Sequence, residues 1–400
     1  MASRPPAIAA PPNLGPSNAV APIQGDYWGL LAIPALLYGS LFTITREFGE
    51  LAYIFIVGLA ALACAGSRQL KFFPGQRFLV VLSFFYIILS RFDVLPSAWT
   101  IYHDDFAALR QWIPLVTTPI LTTAMFLLFW QYRRFIIEYA LLLCAIAFVI
   151  RFIASFWEQD LYWYADVPLG IYGLYSPNND TLPLLLMLGI AAHRVDGRWR
   201  LQILLTLFTA LVSTSAATRL FALINMGARL VGGRTTMLIM LFIALMAFQL
   251  ISPFYYDAIY TLDGNSGVRT IFWRDAQLAV MQSHGLGVGF GTEYITNWFG
   301  DVGRISWGLT TEDADNRLFI STHSTFYDFA LRMGVLGAGG FALWMFSVVR
   351  GAVTPTAVPT AALLVISCAV TPAMTAIDTQ IGISMLLAWL LVERKAAGLS

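Results

Sequence analysis

Charge is scarce in this sequence. Lys, Arg, Asp and Glu make up 12% of its 400 residues, about half the share of an ordinary soluble domain. That excludes a soluble enzyme and a solvated, disordered chain. Basic excess is missing too. The formal net charge is +1, which excludes a strongly basic nucleic-acid binder. Cysteine is rare, and Cys64, Cys144 and Cys368 all sit inside apolar runs. They read as small core hydrophobes rather than a disulfide framework or a metal site. The sequence has no obvious internal repeat, a mark of many secondary transporters.

What it does have is long apolar runs. Apolar residues account for 58% of the chain, the composition of a polytopic membrane protein. At roughly 20 residues per helix there is room for about a dozen crossings plus loops. Residues 1–26 are rich in Pro, Ala and Asn and are expected to form a mobile cytoplasmic tail. They lack the layout of a cleaved signal peptide, so the first span is expected to act as the anchor. Spans are expected at Tyr27–Ile44, Leu51–Gly66, Phe78–Val94, Trp112–Trp130, Phe135–Phe152 and Leu182–Ala192. They continue at Leu201–Ser213, Arg219–Val231, Thr236–Pro253, Phe326–Val349, Val358–Pro372 and Ile381–Leu391. Continuous apolar runs are helices rather than barrel strands. The expected fold is all-α, with about 12 transmembrane helices, residues 27–253 carrying the first nine and residues 326–392 the last three.

Charge suggests the orientation. With the N-terminus in the cytoplasm, the inner loops hold Arg68, Lys71, Arg77, Arg133, Arg134, Arg194, Arg198, Arg200, Arg229, Arg234, Arg350, Arg394 and Lys395. Their acids are Asp196 and Glu393, while the outer loops hold Glu47, Glu50, Asp104, Asp105, Glu158, Asp160 and Asp166. Every inner loop is then basic, as the positive-inside rule asks. Both termini, including the tail 393–400, are expected to be cytoplasmic.

Residues 254–325 are expected to leave the membrane on the outer side, a segment longer than a connection needs. It carries Trp273, Phe290, Tyr294, Trp298, Phe299 and Trp307, which argues for order. Apolar residues at 268, 271, 272, 276, 279 and 280 have helical spacing, so an amphipathic helix over Val268–Ser283 is expected against the bundle or the interface. It is either a docked structural loop or a lid over a membrane-embedded substrate.

Four features bear on that choice. Asn265-Ser266-Gly267-Val268-Arg269 is followed by Trp273. Gly285-Leu286-Gly287-Val288-Gly289-Phe290-Gly291 would let backbone N–H groups approach an anion; no strand precedes it, so it is not a dinucleotide fingerprint. Thr322-His323-Ser324 stands just before a span and ahead of Gly334-Val335-Leu336-Gly337. Ser213-Thr214-Ser215-Ala216-Ala217-Thr218-Arg219 lies at the outer end of an earlier pair of spans.

In order and spacing these features resemble the O-antigen ligase and O-antigen polymerase (Wzy-like) superfamily of integral membrane glycosyltransferases. The resemblance covers Ser213 to Gly337; the front half is similar only as a hydropathy profile. Two positions depart from the pattern: Ser324 stands where Asn is usual, and Ala216-Ala217-Thr218 precedes Arg219 in place of Ser. The resemblance implies a GT-C-like fold in the bacterial inner membrane. It also implies transfer of a glycan from undecaprenyl diphosphate to an acceptor hydroxyl on the periplasmic face. Positive charge must hold the diphosphate and stabilise it as it leaves, which suits the guanidinium fork. A base near neutral pH must take the hydroxyl proton, which suits histidine. Carried onto this chain, Arg219 and Arg269 hold the diphosphate and His323 is the base, with no metal and no cofactor. The implied partners are the lipid-linked glycan donor, the glycan acceptor, membrane lipids and other polysaccharide assembly proteins, with no nucleic acid.

Each assignment has a plainer alternative. For His323 it is a helix anchor, and for Arg219 a snorkelling interfacial arginine. Against the second, Arg219 opens an apolar run on the outer side, where the positive-inside bias disfavours it. Arg269 rests on the resemblance. Arg274 and Asp275 are expected to be solvated, Asp328 and Arg332 to form an i,i+4 ion pair, and His284 to be a loop histidine. Arg151 and Asp378 stay open, and His103 and His193 carry no motif. Acids at Asp301, Glu312, Asp313 and Asp315 weakly disfavour a highly anionic acceptor. The expected activity is polymerisation of lipid-linked repeat units into a surface polysaccharide or exopolysaccharide. The alternative within the class is an O-antigen ligase acting on lipid A core. Outside it, the alternative is a transporter or flippase of lipid-linked sugars, which would place charges deep in several spans; here Glu138 is the clearest such acid.

Overall fold

A computed structural model describes residues 46–68, 70–92, 102–103, 105–155, 182–193, 203–204, 206–207, 216–231, 235–293, 321–371 and 377–399. The spans expected at Tyr27–Ile44 and over most of Leu201–Ser213 lie outside the described residues, as do Tyr294, Trp298, Phe299, Trp307 and the acids between 301 and 315.

The described residues are helical: α1 Arg46–Ser67, α2 Gln76–Arg91, α3 Asp105–Gln131, α4 Arg133–Ser155, α5 Leu182–Ala192, α6 Ala216–Val231, α7 Thr235–Ile251, α8 Tyr256–Leu262, α9 Gly264–Gln282, α10 Thr325–Arg350, α11 Ala357–Val370 and α12 Ile377–Ala396. The exception is a two-residue antiparallel ladder, β1 Tyr102–His103 with β2 Thr292–Glu293. Among the described residues four helical stretches are long and apolar enough to cross a membrane: Glu50–Ser67, Asp105–Gln131, Thr235–Leu262 and Thr325–Arg350. The outward faces agree with that. Ile54 is 67% exposed, Leu62 71% and Phe85 66%, side chains that water would penalise and lipid would not. The protein is a helical membrane protein.

The apolar helical run that begins with α7 continues past Pro253 to Leu262. A 3-10 turn at Ser252–Tyr255 places Pro253 in its first positions, where a missing N–H breaks no bond.

The interior is built on α3, α5, α10, α11 and α12. Every residue of α5 is buried. α3 and α12 lie alongside each other: Gln380 Nε2 donates to the Pro114 carbonyl at 2.9 Å and to Thr118 Oγ1, and Phe129 meets Trp389 edge-on at 6.0 Å. At one end of the bundle Glu393 fastens three elements. Arg133 donates to its Oε1 through Nε (3.1 Å) and Nη2 (3.0 Å), while Thr354 and Thr356 each donate to Oε2 at 2.7 Å. A buried carboxylate is tolerated when its lone pairs are filled in this way.

Candidate functional site

At the opposite end of α11, the loop before α10 is tied down bond by bond. Ser324 is the N-cap of α10, with extended backbone and its Oγ accepting from the Tyr327 N–H at 3.4 Å. This is the cap role that Asn also performs, so the Ser-for-Asn departure costs the helix nothing in kind. Gln249 Nε2, deep in the apolar α7, donates to the same Oγ (2.6 Å) and to the Ala369 carbonyl (2.7 Å). Thr325 donates through its N–H and Oγ1 to the Thr371 carbonyl, so α10 starts where α11 ends.

Asp328 holds the residues just upstream. Its Oδ1 accepts from the Thr322 N–H (2.7 Å) and Thr322 Oγ1 (2.8 Å), and its Oδ2 accepts from Ser321 Oγ (3.0 Å). The carboxylate is 2% exposed. It fixes the loop, a role that the i,i+4 spacing with Arg332 does not announce. Pinned on both sides, His323 takes a left-handed backbone with φ 55°, unusual for a non-glycine residue and a known companion of functional sites.

The wall behind His323 is α9, and it forms where the apolar spacing places it. Asp263 caps the helix, its side chain accepting from the Ser266 N–H at 3.1 Å and from Ser266 Oγ. Val268, Ile271, Phe272, Trp273, Ala276 and Ala279 are buried. The Phe272 ring stacks on the His323 imidazole, centroids 5.8 Å apart. Trp273 Nε1 donates to the Thr322 carbonyl at 3.1 Å and its ring stacks on Tyr327. Tyr327 in turn donates to the Gln249 carbonyl (2.7 Å) and its hydroxyl accepts from Gln277 Nε2 (2.7 Å).

Arg269 lies three residues before Phe272 and four before Trp273, so the three side chains are neighbours on the helix. Helix spacing therefore puts Arg269 one turn from the ring that stacks on His323. Arg269 is half-buried. Burial holds its pKa below the ordinary arginine value, and the charge of Asp263 opposes that shift. Among the described residues no hydrogen bond or ion pair to its guanidinium is formed. A desolvated cation in that position binds anions more strongly than one in water.

Arg219 is exposed on α6, two residues before Phe221, whose ring covers Gly189 beside Pro359 in the first turn of α11. Asn225, further along α6, meets His193 at 3.2 Å. His323 sits by Thr371, beyond the far end of α11, roughly 18 Å of helix from Pro359 at 1.5 Å per residue.

The glycine run does not form an anion cradle. Every N–H from Gly285 to Gly291 is bonded inside the protein. The acceptors are, in order, the Val280 and Ser283 carbonyls, Ser283 Oγ, the Leu331 and Arg332 carbonyls, Ser90 Oγ and Gln111 Oε1. The reason is a break in α10. Met333 (φ −124°, ψ 16°) and Gly334 (φ 62°, ψ −152°) leave the helical region, and the freed carbonyls of Leu331 and Arg332 need donors. Val288 and Gly289 supply them at 2.8 and 3.1 Å, while the Val335 N–H returns a bond to the Gly285 carbonyl at 2.9 Å. Irregular backbone at membrane depth persists only with such replacement bonds. Gly287 allows the close approach: a Cβ there would meet the Gly334 N and the Leu331 carbonyl.

Of the remaining candidates, Asp275 is not solvated. It is 6% exposed and its Oδ2 has no hydrogen-bond partner among the described residues. Burial pushes its pKa up to about 7, against the lowering influence of Arg274. Arg274 packs over the Tyr256 ring at 4.9 Å. His284 is exposed with φ 54° at the end of α9. Arg332 is 3% exposed and donates to the Gly289 carbonyl at 3.4 Å. The side chains of Arg151, Asp378, His103 and Asn265 lie outside what the structure describes. Among the described residues no group of His, Cys, Asp and Glu is placed to hold a metal ion.

Gln249, Tyr327 and Gln277 were not singled out in the sequence. Gln249 carried a signal: it is a lone amide in the apolar run of α7, where an uncompensated polar group is costly. No protein-family model, no curated protein and no solved structure matches the chain.

Proposed function

We propose that the chain is a membrane glycosyltransferase that moves a glycan from a polyprenyl diphosphate to an acceptor hydroxyl, acting as a polymerase of lipid-linked repeat units. One observation supports the reading: His323, in a left-handed backbone, stacks on Phe272, one helical turn from Arg269, which is half-buried and has no bonded acid among the described residues. Arg269 offers the fork for the diphosphate, and His323 offers a base at the neighbouring position. The hydroxyl proton passes to the imidazole as the acceptor oxygen bonds to the anomeric carbon. The bond to the diphosphate breaks in the same step, and its charge collects opposite Arg269. On this proposal the wall faces the periplasm, and the termini are cytoplasmic.

The test is transfer from a lipid-linked donor by purified protein. His323→Ala is expected to lower turnover by about 10²–10⁴-fold, the usual worth of general-base catalysis, with the protein still monodisperse. Near-wild-type turnover would remove His323 from the mechanism. Products separate the readings within the class: lengthened lipid-linked chains indicate a polymerase and transfer to lipid A core a ligase. Movement of the donor across the bilayer without any new glycosidic bond would sink the enzymatic proposal.

A further inference from the structure

The end of the bundle that carries the Arg133–Glu393 pair holds a second feature, independent of the site above. The segment between α1 and α2 crosses α3 there, fixed by the Lys71 N–H donating to Thr123 Oγ1 at 2.8 Å. Lys71 Nζ then lies 5.7 Å from the centre of the Phe126 ring. Lys395, on the last turn of α12, approaches the same ring at 5.6 Å and Trp130 at 4.0 Å. Beside them Arg394 stands 5.9 Å over Phe73, with its side chain against Gly351.

Two ammonium groups share one aromatic ring with a guanidinium next to them. Aromatic faces stabilise such cations only partly, and like charges close together repel. The nearest carboxylate in sequence, Glu393, is filled by Arg133, Thr354 and Thr356. Among the described residues no acid pairs with Lys71, Lys395 or Arg394. The Lys395 ammonium is held below its ordinary pKa, first by partial burial and then by the Lys71 charge. Packing brings these cations together, and an anion is the partner they lack.

We propose that Lys71 and Lys395, with Arg394, bind the phosphate of an anionic membrane phospholipid. The apolar surroundings identify a lipid as the source of that phosphate. Leu62, Leu70, Phe78 and Val81 are exposed on α1, on the crossing segment and on α2, where acyl chains would run beneath a headgroup held by Lys71. Basic pockets between membrane helices bind headgroups in this way, and the two lysines meet the phosphate as point charges.

Native mass spectrometry of the full chain in neutral detergent tests this, with phosphatidylglycerol, phosphatidylcholine and inorganic phosphate as probes. Wild type is expected to bind phosphatidylglycerol on the order of tenfold more tightly than phosphatidylcholine. Lys71→Ala with Lys395→Ala should abolish that preference, and Lys71→Arg with Lys395→Arg should keep it. Equal binding of the two lipids by wild type, or a preference that survives the double alanine variant, overturns the proposal. Displacement of phosphatidylglycerol by inorganic phosphate overturns the lipid as occupant. If the double variant does not fold, Lys395→Gln on its exposed side chain replaces it. The wild-type preference must also weaken as ionic strength rises; a salt-independent preference again counts against the site.

Discussion

The imidazole of His323 lies on the ring of Phe272, with centroids 5.8 Å apart and planes 18° from parallel. One residue comes from α9 and the other from the loop that starts α10, so this contact joins two motifs distant in sequence. A stacked pair of this kind is worth about 0.5–1.5 kcal/mol beyond its buried area. Phe272→Leu keeps most of the apolar volume and loses the flat surface. On the proposed mechanism its turnover should fall by roughly three- to tenfold with the melting temperature little changed. A turnover equal to wild type in the purified variant would mean that the stack does not position the base.

Gly334 is the weak point of the fold. Its φ of 62° and ψ of −152° belong to a region that is essentially glycine-only, and a Cβ there would meet the Gly285 carbonyl. Gly334→Ala is expected to give little monodisperse protein. Gly339→Ala, on the same helix with nothing near its would-be Cβ, should purify like wild type. Size-exclusion yield of the two variants checks this, and equal yields would contradict the role given to the helix break.

Local pattern made some of this legible and left the rest hidden. The periodicity of 268, 271, 272, 276 and 279 located the buried face of α9, because burial on one helix face leaves a 3.6-residue signature. The glycine run was visible but not its purpose, since the break in α10 that consumes its N–H groups is a long-range partner. The spacing of Asp328 and Arg332 pointed along the helix, while the bonds from Ser321 and Thr322 to Asp328 come from the preceding loop, which helix periodicity does not record. Asp275 looked solvated beside Arg274 because sequence neighbours point to different sides of a helix.

Asp275 gives a pH prediction with a definite sign. Its folded pKa of about 7 lies above the unfolded aspartate value near 3.9. The folded state therefore holds the proton more tightly, and this contribution to stability is fully present below about pH 4. It is lost progressively as pH rises toward 7 and is absent above it. Asp275→Asn mimics the protonated form. Its melting temperature should exceed that of wild type at pH 8 and match it at pH 4. A variant no more stable than wild type at pH 8 would show that the carboxylate is not desolvated there.

The two arginines expected to hold the diphosphate can be tested one at a time. Arg269→Lys keeps a charge on the α9 face that meets His323 but loses the planar fork, so turnover should fall while the protein stays folded. Arg219→Lys should keep wild-type turnover if Arg269 alone holds the diphosphate. Equal losses in both variants would mean that both guanidinium groups hold it, and crosslinking of cysteines placed at 219 and 269 would check that they meet.

Asp328 supplies the most discriminating substitution. It accepts three bonds from Ser321 and Thr322, and Thr322 is fully buried. Asp328→Asn retains a carbonyl oxygen for the Thr322 N–H and hydroxyl, and the Ser321 hydroxyl can turn to accept from the new amide. Asp328→Ala leaves the Thr322 N–H buried without an acceptor, a cost of about 1–3 kcal/mol. That cost falls on the loop, because α10 keeps its Ser324 cap. The loop should then abandon the left-handed conformation of His323 while the helices stay packed. The expected result is near-normal melting and turnover for asparagine. For alanine, turnover should fall more steeply than stability. If Asp328 served only the packing of α10, the alanine variant would lose stability first and keep normal turnover per folded molecule. Measuring turnover and melting temperature on the same preparations of the two variants decides between these outcomes.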